Sequence, residues 1–171
     1  KLNYALSVIG IFAVFANLGI DNILYRELVA YKEKREELLG SAIFLKLLLG
    51  IISILGLSIF LFFLKEEVYI KIIIGLLSLT FITQPFTLFS FDFLKDKEAK
   101  YVTITQVLTL LISNGLKILS VLVTPSLIYF SAILVLENII AGVIYIYQLK
   151  RIKKVSLQLR PTKKMVRAIF F

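Results

Sequence analysis

Apolar residues in this chain come in long runs broken by short charged stretches, and the length of those runs predicts helices that cross a membrane. A spanning helix needs roughly 20 mostly apolar residues to cross a hydrocarbon core of about 30 Å. Five segments meet this: 2–20, 39–64, 68–94, 101–123 and 127–149. Gly40-Ser41 opens the second after a charged stretch, Pro85 lies inside the third, and Thr124-Pro125-Ser126 reads as a tight turn between the fourth and fifth. Ile and Val are compatible with helix at membrane depth, where backbone groups must bond internally, so nothing requires a strand. The expected fold class is all-α, a polytopic integral membrane helical bundle. Residues 1–149 form the five-span bundle, and residues 150–171 form a basic linker running into a further helix. Arg160-Pro161-Thr162 reads as that helix's start and Ala168-Ile169-Phe170-Phe171 as its apolar beginning.

Between the first two spans the period changes. Leu24, Leu28, Tyr31 and Leu38 recur at helical spacing with Glu, Lys and Arg between them. This predicts an amphipathic helix over Asn22–Leu39, either lying along the membrane interface or forming a solvated hairpin arm. The mixed run Lys32-Glu33-Lys34-Arg35-Glu36-Glu37 reads as a solvated face.

Composition agrees with the pattern: the chain is 59% hydrophobic with a mean hydropathy of +0.92, above the ~45–50% apolar content of soluble domains. There is no Cys and no His, which excludes thiol nucleophiles, disulfides, Cys/His zinc sites and imidazole acid–base chemistry. No Gly-rich phosphate-binding loop is present, so ATP hydrolysis by this chain is not expected. No cofactor, metal or catalytic residue set is expected, and the chain does not read as an enzyme. The net charge of +9 points to topology and to anionic lipid or sugar-phosphate partners rather than to nucleic acid.

The loops carry that charge unevenly. One side holds Arg26, Lys32, Lys34, Arg35, Lys95, Lys97 and Lys100, with Lys150, Arg151, Lys153, Lys154, Arg160, Lys163, Lys164 and Arg167 after the last span. The other side holds Lys1, Lys65 and Lys71 alone. The positive-inside rule puts the first set in the cytoplasm, residue 1 outside and residue 171 inside a cytoplasmic (cell) membrane. With an odd number of spans starting outside, no Met at residue 1 and no signal-peptide pattern, the chain reads as an internal piece of a longer protein.

Ionisable groups within spans are costly and mark function by default. Lys46 either snorkels to the nearby interface or serves a pathway. Lys117 and Glu137 lie about 10 and 16 Å from the turn that joins their helices, at about 1.5 Å per residue. They form either an ion pair that locks two helices or part of a polar pathway. The pathway is favoured by Gln106, Ser113, Lys117 and Ser120, which share one helical face, with Asn114 bordering it and Asn138 beside Glu137. In the third span, Gly75, Ser78, Thr83, Gln84 and Pro85 mark a kink, with Pro85 a hinge candidate. Gly50, Ser53, Gly56 and Ser58 in the second span read as close-packing positions.

The order of residues adds a resemblance. The segment from Phe15-Ala16-Asn17-Leu18-Gly19 through Asp21 and Tyr25-Arg26-Glu27-Leu28, then Leu38-Leu39-Gly40-Ser41-Ala42 and Leu45-Lys46-Leu47, resembles polysaccharide-biosynthesis exporters. These are the Wzx-type O-antigen flippases of the MOP (MATE-like) exporter superfamily, and the stretch is similar to their second-to-third-helix region. Pro85-Phe86, Lys100-Tyr101-Val102, the paired last two spans and the basic linker continue the likeness over nearly the whole chain. The motifs are loose patterns of moderate specificity.

The resemblance implies part of the N-terminal bundle, about helices two to six, of a two-bundle alternating-access transporter. Its substrate would be an oligosaccharide on a polyprenyl (pyro)phosphate, exported across the cell membrane for surface polysaccharide biosynthesis through a partly cationic cavity. Arg26 would stand at the mouth, Lys46 and Lys117 would supply cavity cations, and Gln106, Ser113 and Asn114 would bond sugar hydroxyls. Glu137 would couple an ion or neutralise Lys117. Membrane lipids, and the polymerase and glycosyltransferases of the same pathway, are the implied partners. Rival readings are a MATE-type antiporter, a lipid II flippase, a membrane-embedded transferase using Asp21 or Asp92, and a non-catalytic membrane subunit.

Overall fold

A computed structural model of the chain describes residues 1–124 and 126–153. Pro125 and the stretch 154–171, where the sequence places the basic linker and a further helix start, lie outside the described residues. Among the described residues, eight α-helices follow in order: α1 Leu2–Asn17, α2 Ile20–Ala30, α3 Arg35–Phe63, α4 Val68–Ser78, α5 Thr80–Thr83, α6 Phe89–Lys95, α7 Ala99–Val123 and α8 Leu127–Gln148. Short 3₁₀ turns cover Lys32–Lys34 and Gln84–Leu88, a π turn covers Leu149–Lys153, and no strand occurs among the described residues.

Grouped by length and apolarity these make five membrane-crossing rods: Leu2–Ala30, Arg35–Phe63, Val68–Lys95, Ala99–Val123 and Leu127–Ile152. The chain is a multi-pass membrane bundle. Its outer surface is what lipid demands: Phe62, Leu122 and Val123 are each more than three-quarters exposed, an apolar surface that a water-soluble fold would hide. The turns 31–34 and 96–98, together with the end of α8, gather the basic residues at one end of the bundle, called the basic end below.

Two of the five rods are broken. The first is interrupted at Leu18 and Gly19, both left-handed (φ 35° and 71°). Glycine reaches that conformation without strain and other residues rarely do. Past the break α2 is not a solvated arm. Ile20, Leu24 and Leu28 are fully buried against α3 and α6, so α2 extends the first span. The helical period in 22–30 is that of a buried stripe.

The third rod changes geometry between Ser78 and Phe89, with Pro85 buried in the first turn of the 3₁₀ stretch. Freed carbonyls there take hydroxyls from their own segment. Ser78 donates to Gly75 O (2.6 Å), Thr80 to Leu77 O (2.7 Å) and Thr87 to Gln84 O (2.8 Å). Neighbours crowd the irregular stretch: a Cβ added at Gly50 would stand 2.6 Å from the Phe81 carbonyl oxygen, and one at Gly142 would stand 2.7 Å from Phe86 Cβ. Small residues at these two positions let α3 and α8 approach the break.

The core is divided. One apolar cluster occupies the basic half and is built on Leu24, Leu28, Leu39, Phe89, Phe93 and Tyr145. The other occupies the opposite half, built on Ala5, Leu57, Ile73, Ile74, Leu77 and Phe81. On α8 the second cluster ends at Leu134 and the first resumes at Ala141, so Glu137 and Asn138 fall between them. On the first rod Asn17 falls between Ala16 and Ile20, and on α3 Gly50 and Ser53 fall between Leu49 and Ile54. The bundle thus has a polar waist between two apolar halves.

Candidate functional site

The waist opens into a cavity of about 400 Å³ between α7, α8 and the broken third rod. Its polar lining comes from Thr105, Gln106 and Thr109 of α7, Glu137 and Asn138 of α8, and Thr87 and Ser90 near the break. Leu110, Ala141 and Tyr145 complete it. Glu137 and Asn138 also line a second cavity, of about 280 Å³, with Leu6, Ile9, Leu77, Thr80 and Leu134. These two side chains therefore stand between a polar and an apolar opening along α8.

Lys117 and Glu137 meet as the counting from the turn predicts: Lys117 Nζ donates to Glu137 Oε2 at 3.0 Å, with the two side chains 18% and 27% exposed. Lys117 also lies 5.6 Å from the centroid of the Phe130 ring, an added cation–π attraction. Its ammonium is turned to its partners and does not line the larger cavity, whereas Glu137 does.

Lys46 is placed differently from the sequence expectation. α3 begins at Arg35, so Lys46 sits about 16 Å along the helix, at about 1.5 Å per residue. Its side chain is 2% exposed and does not snorkel; Nζ donates to Asp21 Oδ1 at 2.6 Å. Asp21 lies in the first turn of α2, just past the break, where the helix dipole favours a carboxylate. The two lysines expected to make the cavity cationic are thus each held by a carboxylate. Among the described residues, the larger cavity's lining carries one carboxylate and no Lys or Arg.

Of the other candidates, Gln106 lines the cavity. Ser113 is buried, donating to Leu110 O at 3.4 Å, and Asn114 is exposed on α7 away from the lining. Arg26 is 72% exposed near the basic end and 3.9 Å from Glu27. Sequence reasoning missed Thr105 and Thr109, which flank the Gln106–Ser113 stripe. Thr105 donates to Tyr101 O (2.9 Å) and stands 3.2 Å from Gln148 Oε1. Thr109 Oγ1 is buried with no hydrogen-bond partner.

A second charged cluster was also missed. Asp92, fully buried on α6, receives both Nε and Nη2 of Arg35 as a fork, and Lys95 Nζ lies 3.3 Å from its Oδ1. Arg35 is only 17% exposed and Lys95 4%. The charged run at 32–37 is therefore not wholly a solvated face: its Arg35 clamps the start of α3 to α6.

The sequence matches the family described as polysaccharide biosynthesis protein over residues 1–171. Neither the comparison with curated proteins nor that with solved structures returned a match. A helical membrane bundle with a polar waist and a match along its full length agree with the resemblance read from the sequence: the chain belongs to the polysaccharide biosynthesis protein family, that of the Wzx-type flippases.

Proposed function

We propose that, within the role in polysaccharide synthesis or export that membership supports, the chain helps move polyprenyl-(pyro)phosphate-linked oligosaccharide from the cytoplasmic to the outer leaflet of the cell membrane, by alternating access. The observation that carries this reading is the polar cavity at the waist of an otherwise apolar bundle, an arrangement that transport needs and that a purely structural span does not. The basic end faces the cytoplasm in this reading, supported by the loop charge bias. There Arg26 fits a first contact with the carrier phosphate, and Gln106 fits a sugar hydroxyl. Lys46 and Lys117 reach a phosphate only by leaving Asp21 and Glu137. Glu137, at the junction of two cavities, fits the site of a coupling proton or cation. The reading needs transport and no catalysis by this chain; the pathway's polymerase and glycosyltransferases are its natural partners.

One observation favours a second reading: the Lys117–Glu137 bond at 3.0 Å is what a helix lock in a non-catalytic subunit would use. Lys117→Ala in the full-length protein separates the two. The flippase reading expects normal membrane levels with lipid-linked sugar accumulating on the cytoplasmic side. Loss of the protein from the membrane, with export per molecule unchanged, favours the lock.

A further inference from the structure

The larger cavity has the chemistry of a site for sugar, and its charge says which sugar. Nearly all its polar groups are neutral donors and acceptors: Thr87, Ser90, Thr105, Gln106, Thr109 and Asn138. The one acidic group is Glu137, whose Oε2 is taken by Lys117 while the side chain lines the cavity. The ion pair thus turns its negative end toward the opening. Thr109 is 5% exposed, and its Oγ1 is without a partner. A buried hydroxyl left unpaired in a folded chain is a group that a ligand can satisfy.

Resting on the flippase reading, we propose that this cavity is the glycan subsite and that it selects an uncharged or amino sugar against a uronic acid. Sugar hydroxyls fit the alternating hydroxyl and amide lining. A carboxylate on the sugar would meet the negative end of the Lys117–Glu137 pair and would find no Lys or Arg among the described lining residues to receive it, so it would give up hydration for no partner. The carrier's phosphate, by the same argument, stays outside this cavity.

The test uses the full-length protein in lipid nanodiscs and three probes: bare polyprenyl phosphate, polyprenyl phosphate bearing N-acetylglucosamine, and polyprenyl phosphate bearing glucuronic acid. The expected result is that the neutral sugar binds at least roughly tenfold tighter than the uronate, a difference of about 1.4 kcal/mol. Thr109→Val keeps the volume and removes only the hydroxyl. It should weaken the neutral-sugar probe roughly three- to tenfold and leave bare-carrier binding unchanged. Glu137→Gln should shift preference toward the uronate, because it strips the carboxylate and frees Lys117. Equal binding of the two sugar probes, or Thr109→Val and Glu137→Gln leaving the ratio unmoved, overturns the subsite while the flippase reading stands. Failure to bind the bare carrier overturns the flippase reading itself.

Discussion

Arg35→Ala removes the fork that holds both carboxylate oxygens of Asp92, and its cost follows from how little water can replace it. Asp92 is fully buried and Lys95, a second cation beside it, is 4% exposed. Breaking a buried pair by deleting one partner costs about 3–5 kcal/mol. Lys95 at 3.3 Å still offsets part of the charge, which sets the expectation at the lower bound, about 3 kcal/mol. Lys95→Ala leaves the fork intact and should cost less, about 1–1.5 kcal/mol. Arg35→Lys keeps the charge but loses the two-point geometry, so it belongs between them, at about 1.5–3 kcal/mol. Replacing the whole cluster by Arg35→Leu, Asp92→Leu and Lys95→Met should return to within about 1 kcal/mol of the parent, since apolar residues of similar size serve a buried ionic site as well. Midpoints of unfolding in mixed micelles with rising sodium dodecyl sulfate, followed by far-ultraviolet circular dichroism, rank these variants. Equal costs for Arg35→Ala and Lys95→Ala, or either within about 0.5 kcal/mol of the parent, would mean an exposed pair of small value and would refute the clamp.

Other substitutions test the packing and the water path. Gly142→Ala and Gly50→Ala drive a methyl into Phe86 and the Phe81 carbonyl; overpacking of this kind costs about 1–3 kcal/mol in the same titration. Gly75, with nothing within 4 Å of an added Cβ, is the control, and Gly75→Ala should be neutral or gain up to about 1 kcal/mol. Leu24→Ala should cost about 2–5 kcal/mol because α2 is core; a cost near zero would return α2 to the interface. A single Cys at Gln106 should react with a membrane-impermeant maleimide faster than one at Leu111 on the outer face of α7; equal inertness would mean a dry waist.

What the sequence revealed depended on whether a residue's partner could be located by counting. Lys117 and Glu137 flank one tight turn, so rise per residue leaves them only about 6 Å apart in depth, an offset that a lysine stem covers, and the pair was legible. Lys46 and Asp21 are 25 positions apart, on two helices joined by the 31–34 turn. The charged run hides that α3 starts at Arg35 and not at residue 39, so the depth of Lys46 was misjudged. Arg35 sat in a run of alternating charge, where periodicity cannot tell the one inward side chain from its solvated neighbours; its partner is 57 positions away on α6. Thr105 and Thr109 were invisible for a subtler reason. Threonine in a helix commonly bonds its own backbone, and only burial with an unspent hydroxyl at Thr109 makes the difference. The five apolar runs and the helical class were plain because lipid permits few alternatives.

The pairing of the mid-depth charges has an electrical consequence. Lys46 with Asp21, and Lys117 with Glu137, each sum to zero and each joins neighbouring helices. Moving one elementary charge through 100 mV changes its energy by about 2.3 kcal/mol, but a neutral pair that travels together does almost no work against the field. If the helices rock as the proposed alternating access requires, with both pairs intact, that motion is electrically silent. Any current recorded during a transport cycle would be carried by the cargo or a co-transported ion, and a gating current without cargo would mean that one of the two pairs separates as the bundle moves.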